Sequence, residues 1–224
     1  MKVVVYTVIL HGYDKLRNHV DLPYDFIAYI DDRSIVPADT NWIIRDIPEE
    51  IKDMPMFEQL NYLKHMPHKL FPDYDISVYE DGKISVNKNI QILVDLDYND
   101  NRLLTNKHPQ RQSVYDEINI LRSLHYEKKE VCDAFEQKYL QEGYPRNNGL
   151  VDTCMMIRRH NDPYVSELME EITSLLNEHH VSRHELAFNY VLWKQHKEAT
   201  VISFPMFISP YFDGFKHHKK HYTY

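Results

Sequence analysis

Cysteine is nearly absent: Cys132 and Cys154 are the only two in 224 residues. Two thiols imply no disulfide framework and point to a reducing compartment. Long apolar runs are missing too. The longest, Val3 to Leu10, is interrupted by Tyr6 and Thr7, far short of the ~20 residues that a membrane span requires. It also lacks the small-residue cleavage site of a secretory signal, so the expected location is cytoplasmic. Positive charge is in deficit. The chain holds 26 Lys and Arg against 34 Asp and Glu, a formal net charge of −8. Nucleic-acid binding needs a basic footprint, so no nucleic-acid partner is expected. Glycine is scarce at 5 residues. No G-x-G-x-x-G or P-loop pattern occurs, so the dinucleotide and P-loop fingerprints are missing. Neither Gly-x-Ser-x-Gly nor His-Glu-x-x-His appears among the 14 histidines and their neighbours, and neither cysteine carries a nucleophile signature.

What is present is material for a packed core: 43% hydrophobic and 27% charged residues, an ordinary globular balance. At this length a single domain with accessories is expected. Tyrosine is abundant at 17 residues, which suits both strands and clefts for flat ligands such as sugars and bases.

Periodicity supplies the elements. The β-branched run Lys2 to Leu10 predicts a strand buried on both faces. Further strands are expected at 24–30, 42–47, 75–81 and 150–158, with extended structure at 83–86. Apolar Phe57, Leu60, Leu63, Met66 and Leu70 predict an amphipathic helix over 56–70. Helices are also expected over 112–141 with one break near 123–129, and over 163–177 and 182–194. Ser182 followed by Glu185 reads as a capping box. Residues 97–108 read as a polar loop, and 142–149 as a turn-rich breaker. Strands alternating with helices imply an α/β domain over 1–199. Residues 200–224 form the expected appendage, ending in the basic stretch Lys216 to His221. That stretch suits peripheral contact with an anionic membrane surface.

Ligands of open α/β sheets bind beyond the carboxyl ends of the strands. Thr7, Tyr13 and Asp14 fall there after the first strand, and Asp31 and Asp32 after the second. Glu80, Asp81 and Lys83 follow the strand at 75. One rival reading takes Asp73, Asp81 and Lys83 as the PD…DxK set of a metal-dependent nuclease, which the −8 charge opposes.

The order of the segments resembles a known family. Residues 3–16, FIAYIDD (26–32), NWIIRD (41–46), PHKLFPDYDISVYEDGKISV (67–86), HPQRQSVYDEI (108–118), YLQEGYPRNNGLVDTCMMIRRHN (139–161) and SRHELAFNYVLWK (182–194) carry the likeness. Together they resemble the glycosyltransferase-like family formerly called domain of unknown function 616. The resemblance implies a GT-A-like three-layer α/β/α sandwich with a mostly parallel sheet. It implies a glycosyltransferase of the hexosyltransferase kind, taking a UDP- or GDP-sugar to a glycan or glycolipid in surface polysaccharide or glycoprotein glycan synthesis. Thr7 and Tyr13, with Asp31 or Asp32, would hold base and ribose. Asp81, with Glu80, would hold Mn²⁺ or Mg²⁺ against the leaving diphosphate. Lys83 stands where the second acid of an Asp-x-Asp would sit, so its ammonium would meet the diphosphate. Lys69 and Arg111 are further phosphate candidates, and His160 and Asp152 candidates for sugar contact. His184 and Glu185 replace an Asp-Gln of the family, which makes them, with Asp152, the catalytic candidates; if that stretch supplies the acid or base, its duty moves to Glu185. A catalytically dead carbohydrate-binding module is the remaining alternative.

Overall fold

The computed structural model of the chain describes residues 1–100, 102–203 and 209–214, the side chains of 97–100 excepted. The strands are β1 (Val3–Ile9), β2 (Asp25–Ile30), β3 (Ile43–Arg45), β4 (Ile76–Glu80), β5 (Ile84–Val86), β6 (Leu103–Lys107), β7 (Val151–Arg158), β8 (Thr200–Ile202) and β9 (Phe212–Gly214). The helices are α1 (Met56–His65), α2 (Pro67–Leu70), α3 (Ile90–Asp100), α4 (Val114–Ser123), α5 (Lys129–Gln141), α6 (Pro163–Glu178) and α7 (His184–Lys194). Seven strands form the central sheet in the order β3-β2-β1-β4-β7-β6-β8. The four strands from β3 to β4 are mutually parallel, whereas β7 runs antiparallel to both β4 and β6. β8 lies parallel to β6, and β5 pairs with β9 in a separate antiparallel ribbon.

Side chains alternate across a strand, and β1 divides the core on that rule. Val4, Tyr6 and Val8 face a layer containing Leu63 of α1, Ile118 of α4, Phe135 of α5, Leu168 of α6 and Phe188 of α7. Val3, Val5 and Ile9 face the other layer, with Ile90, Leu93 and Val94 of α3 and the β5–β9 ribbon. The result is the expected three-layer α/β/α sandwich. Helix ends follow local chemistry. Ser113 caps α4 by accepting from the Asp116 N–H at 3.1 Å, and Asp162 caps α6 through the Tyr164 N–H at 2.9 Å, with Pro163 as its first residue. Side-chain oxygens there satisfy N–H groups that have no partner within the helix.

Four expectations change. The helix over 56–70 is two helices, because a residue before proline is pushed out of the α region and Met66 precedes Pro67. The polar loop over 97–108 is instead the end of α3 followed by β6. Thr105 and Asn106 are fully enclosed because β6 lies inside the sheet. Helix α7 starts at His184 with Arg183 as its uncapped leading residue, so the box at Ser182 and Glu185 does not form. Residues 200–202 and 212–214, expected in an appendage, pair with β6 and β5. The basic stretch 216–221 lies outside the described residues.

Candidate active site

A cleft of about 220 Å³ opens at the carboxyl edge of the parallel strands. Its wall on one side is the turn after β1. His11 and Gly12 there both adopt positive φ (53° and 57°), and the Tyr13 N–H closes the turn on Leu10 O at 3.1 Å. Two successive left-handed residues suit glycine at one of them. Asp31 Oδ1 accepts from the His11 N–H at 2.8 Å and fixes this turn from β2. The turn after β4 packs directly against it. A Cβ on Gly82 would lie 2.7 Å from Asp14 Cβ, so only glycine lets the two loops meet.

At the floor, three charged side chains converge. Asp81 Oδ1 accepts from Tyr79 Oη at 2.7 Å and Lys64 Nζ at 3.2 Å, while Lys83 Nζ stands 3.9 Å from Oδ2. Lys64 reaches up from α1 with its side chain only 4% exposed, its ammonium 4.7 Å from the Tyr79 ring centre. Burial works to raise the Asp81 pKa, but Lys64, Lys83 and the Tyr79 hydroxyl outweigh it and hold the carboxyl below its ordinary value. Burial likewise opposes the charge of Lys83. Asp81 and then Asp152 overcome it, and the ammonium titrates above its ordinary range.

The opposite wall is the amino end of α7. Ser182, Arg183, His184 and Glu185 line the cleft there. His184 is held neutral by burial and by the neighbouring Lys64, His65 and Arg183. Asn61 donates through Nδ2 to Asn177 Oδ1 and Val181 O, so its Oδ1 accepts from His184 Nε2 at 3.2 Å. That bond anchors the imidazole to α1. Glu185 accepts from Thr153 Oγ1 at 3.2 Å and turns its carboxylate toward the cleft instead of back onto the chain. Behind it lies Glu117 of α4, paired with Arg111. Burial and the Glu185 charge push its pKa up to about 7.

Of the residues singled out by sequence, Tyr13, Asp81, Lys83, His184 and Glu185 line one cleft. Asp152 sits at the adjoining start of β7, where its charge acts on Lys83. It is nearly buried and accepts from the Cys154 N–H at 3.1 Å. Arg111 is close by, engaged with Glu117.

The others are placed differently, and strand geometry explains each case. Glu80 follows Ile76 and Val78 onto the opposite face from Asp81, where it accepts from the Val86 N–H at 2.7 Å. Burial pushes it up to about 8, so it is protonated at neutral pH. Thr7 is on that same far face, buried beside Glu80. Asp32 caps a 3₁₀ turn by accepting from the Ser34 N–H. Lys69 pairs with Glu170 of α6 at 3.0 Å. His160 was expected in the cleft because it follows a strand, but β7 is antiparallel. Its end lies at the amino edge, where His160 Nε2 meets Phe71 O at 2.9 Å. The nuclease set fails for a related reason: Asp73 precedes β4 and Asp81 follows it, so they lie at opposite ends of a strand ~16 Å long. Lys64 and Arg183 complete the cleft and were not among the expected site residues. The apolar stripe of α1 was legible around Lys64, but its ammonium gave no spacing signal.

The residues present do not fit the expected Mn²⁺ or Mg²⁺. Such ions take several oxygen ligands. Glu80 points away, both Asp81 oxygens face ammonium groups, and no group of three or more His, Cys, Asp or Glu among the described residues is placed to hold one.

No curated protein matches the chain. Among solved structures, apo mouse xyloside xylosyltransferase 1 superposes with a TM-score of 0.51 at 11% identity, covering 91% of this chain and 85% of that one. The apo WbbM bifunctional glycosyltransferase gives 0.49 at 13% identity, covering 92% of this chain and 39% of that one. The first likeness, with the sheet order above, makes the fold GT-A-like. The model of the TOD1/MUCI70 glycosyltransferase-like domain matches residues 52–221, well over half of the sequence. The chain belongs to the TOD1/MUCI70 glycosyltransferase-like family.

Proposed function

We propose that the chain transfers a sugar from a nucleotide-sugar donor, UDP- or GDP-linked, to a hydroxyl of a growing glycan or glycolipid. One observation carries this reading. Cations from three separate elements and the cleft-lining carboxylate of Glu185 meet in one cleft at the carboxyl edge of a GT-A-like sheet. Diphosphate needs cationic donors, and an acceptor hydroxyl needs a base. Lys83 and Arg183 supply the first and Glu185 the second, with Tyr13 offering an aromatic surface to base or sugar. In the reaction the acceptor oxygen bonds to the anomeric carbon as its proton passes to Glu185. The C–O bond to the diphosphate breaks, and its electron pair leaves with the nucleoside diphosphate. Asp152, held by the Cys154 N–H, borders the site and carries charge toward Lys83.

A thermal-shift panel of UDP-, GDP- and CMP-sugars tests the proposal. Ligand at 100 times its Kd stabilises the native state by ~2.7 kcal/mol. For a chain of this length that corresponds to a melting shift of about 5–10 °C. One nucleotide class is expected to produce it. A panel in which no donor shifts the transition while free oligosaccharides do would point to a carbohydrate-binding module instead.

A further inference from the structure

We propose that Lys64 and Lys83, with Asp81 as their shared counter-ion, occupy the role that a divalent cation would otherwise take, so that the donor diphosphate binds and departs without metal. This inference rests on the donor reading above. The carboxylate at the end of β4 is the group a metal would use, but its Oδ1 is already hydrogen-bonded and its Oδ2 faces an ammonium. Lys64 Nζ and Tyr79 Oη meet Oδ1 at 3.2 and 2.7 Å, and Lys83 Nζ stands 3.9 Å from Oδ2.

A metal on these oxygens would sit ~2.0–2.6 Å from them, pressed against two like charges. One of those charges has nowhere to go. The Lys64 side chain is 4% exposed and its ammonium lies over the Tyr79 ring. Like charges at such separations repel strongly where water is excluded.

The two ammonium groups divide the work. Lys64 is fixed and compensates most of the Asp81 charge from below. Lys83, with its side chain 22% exposed and at a longer 3.9 Å from Asp81, is the one that reaches solvent. Two cations on one carboxylate leave this three-residue cluster with one positive charge in excess, beside Arg183 and the uncapped amino end of α7, while Asp14 and Glu185 supply the negative charge of the same cleft. As the glycosidic C–O bond breaks, the electron pair stays on the diphosphate oxygen. Lys83 stabilises that oxygen by hydrogen bonding while keeping its proton. Asp81 is then a positioning residue that sets two ammonium groups side by side, not a metal ligand.

Calorimetric titration of the full chain with inorganic pyrophosphate, UDP and GDP, first in EDTA and then in Mn²⁺, tests this. Pyrophosphate and one nucleotide are expected to bind in EDTA, with Kd within about threefold of the value in Mn²⁺. Lys83→Gln, on a partly exposed side chain, is expected to weaken both by at least tenfold in EDTA. Lys64→Met is expected to do the same, its melting transition serving as the folding check. Binding that requires Mn²⁺, together with a Mn²⁺ electron-spin signal from the complex that Asp81→Asn removes, would overturn the inference and leave the donor reading standing. Failure of every probe in both conditions would overturn the donor reading and this inference with it.

Discussion

Glu185→Gln is expected to lower kcat by about 10²–10⁴-fold, the usual contribution of a positioned general base, while nucleotide affinity stays within about twofold. The substitution is close to isosteric, and the amide oxygen still accepts from Thr153 Oγ1. What disappears is the ability to take the acceptor proton. Glu185 is suited to that task because the capping box does not form, so its carboxylate points into the cleft beside Lys83 and Arg183. Steady-state kinetics with the responding donor, paired with calorimetry of the free nucleotide, checks the result. Unchanged turnover would remove Glu185 as the base and shift the role to Asp152.

Asp81→Ala is expected to cost about 2–3 kcal/mol of folding stability, and Lys64→Met in the Asp81→Ala background to recover most of it. Removing one partner of a buried ion pair leaves the other charge uncompensated, typically at ~3–5 kcal/mol, whereas replacing both by apolar groups is often neutral. The lower figure applies because the Asp81 side chain is 26% open to the cleft while that of Lys64 is 4% exposed. Urea denaturation of the four proteins of the double-mutant cycle measures the coupling. Additive losses would mean that Lys64 is solvated in solution and does not depend on Asp81.

Much of this arrangement was legible in the sequence where a pattern is local. The β-branched run of β1, the acids and Gly82 after β4, and the break between α4 and α5 all follow from residue type and spacing. The ordered segments of the family resemblance pointed correctly to the GT-A-like sandwich, and Tyr13, Asp81, Lys83, His184 and Glu185, all singled out from them, line one cleft. What failed depends on pairing partners distant in sequence. Strand direction is such a property: β7 reverses against β4, which exchanges the two ends of the strand and carries His160 to the amino edge while bringing Asp152 to the carboxyl edge. Face is another. Glu80 and Asp81 are adjacent in sequence, and the two-residue period of a strand sends them to opposite layers. Lys64 was hidden for a different reason. A lysine on an amphipathic helix ordinarily marks the solvated face, and its burial is tolerable here because Asp81 and the Tyr79 ring meet its ammonium at the cleft floor.

The most direct measurement is a crystal structure of the chain with the nucleotide-sugar that responds in the panel. Its pyrophosphate is expected within hydrogen-bonding distance of Lys83 Nζ, between the end of β4 and the amino end of α7, with the anomeric carbon facing Glu185. A donor seated elsewhere on the molecule, with the Asp81 cleft left vacant, would contradict it.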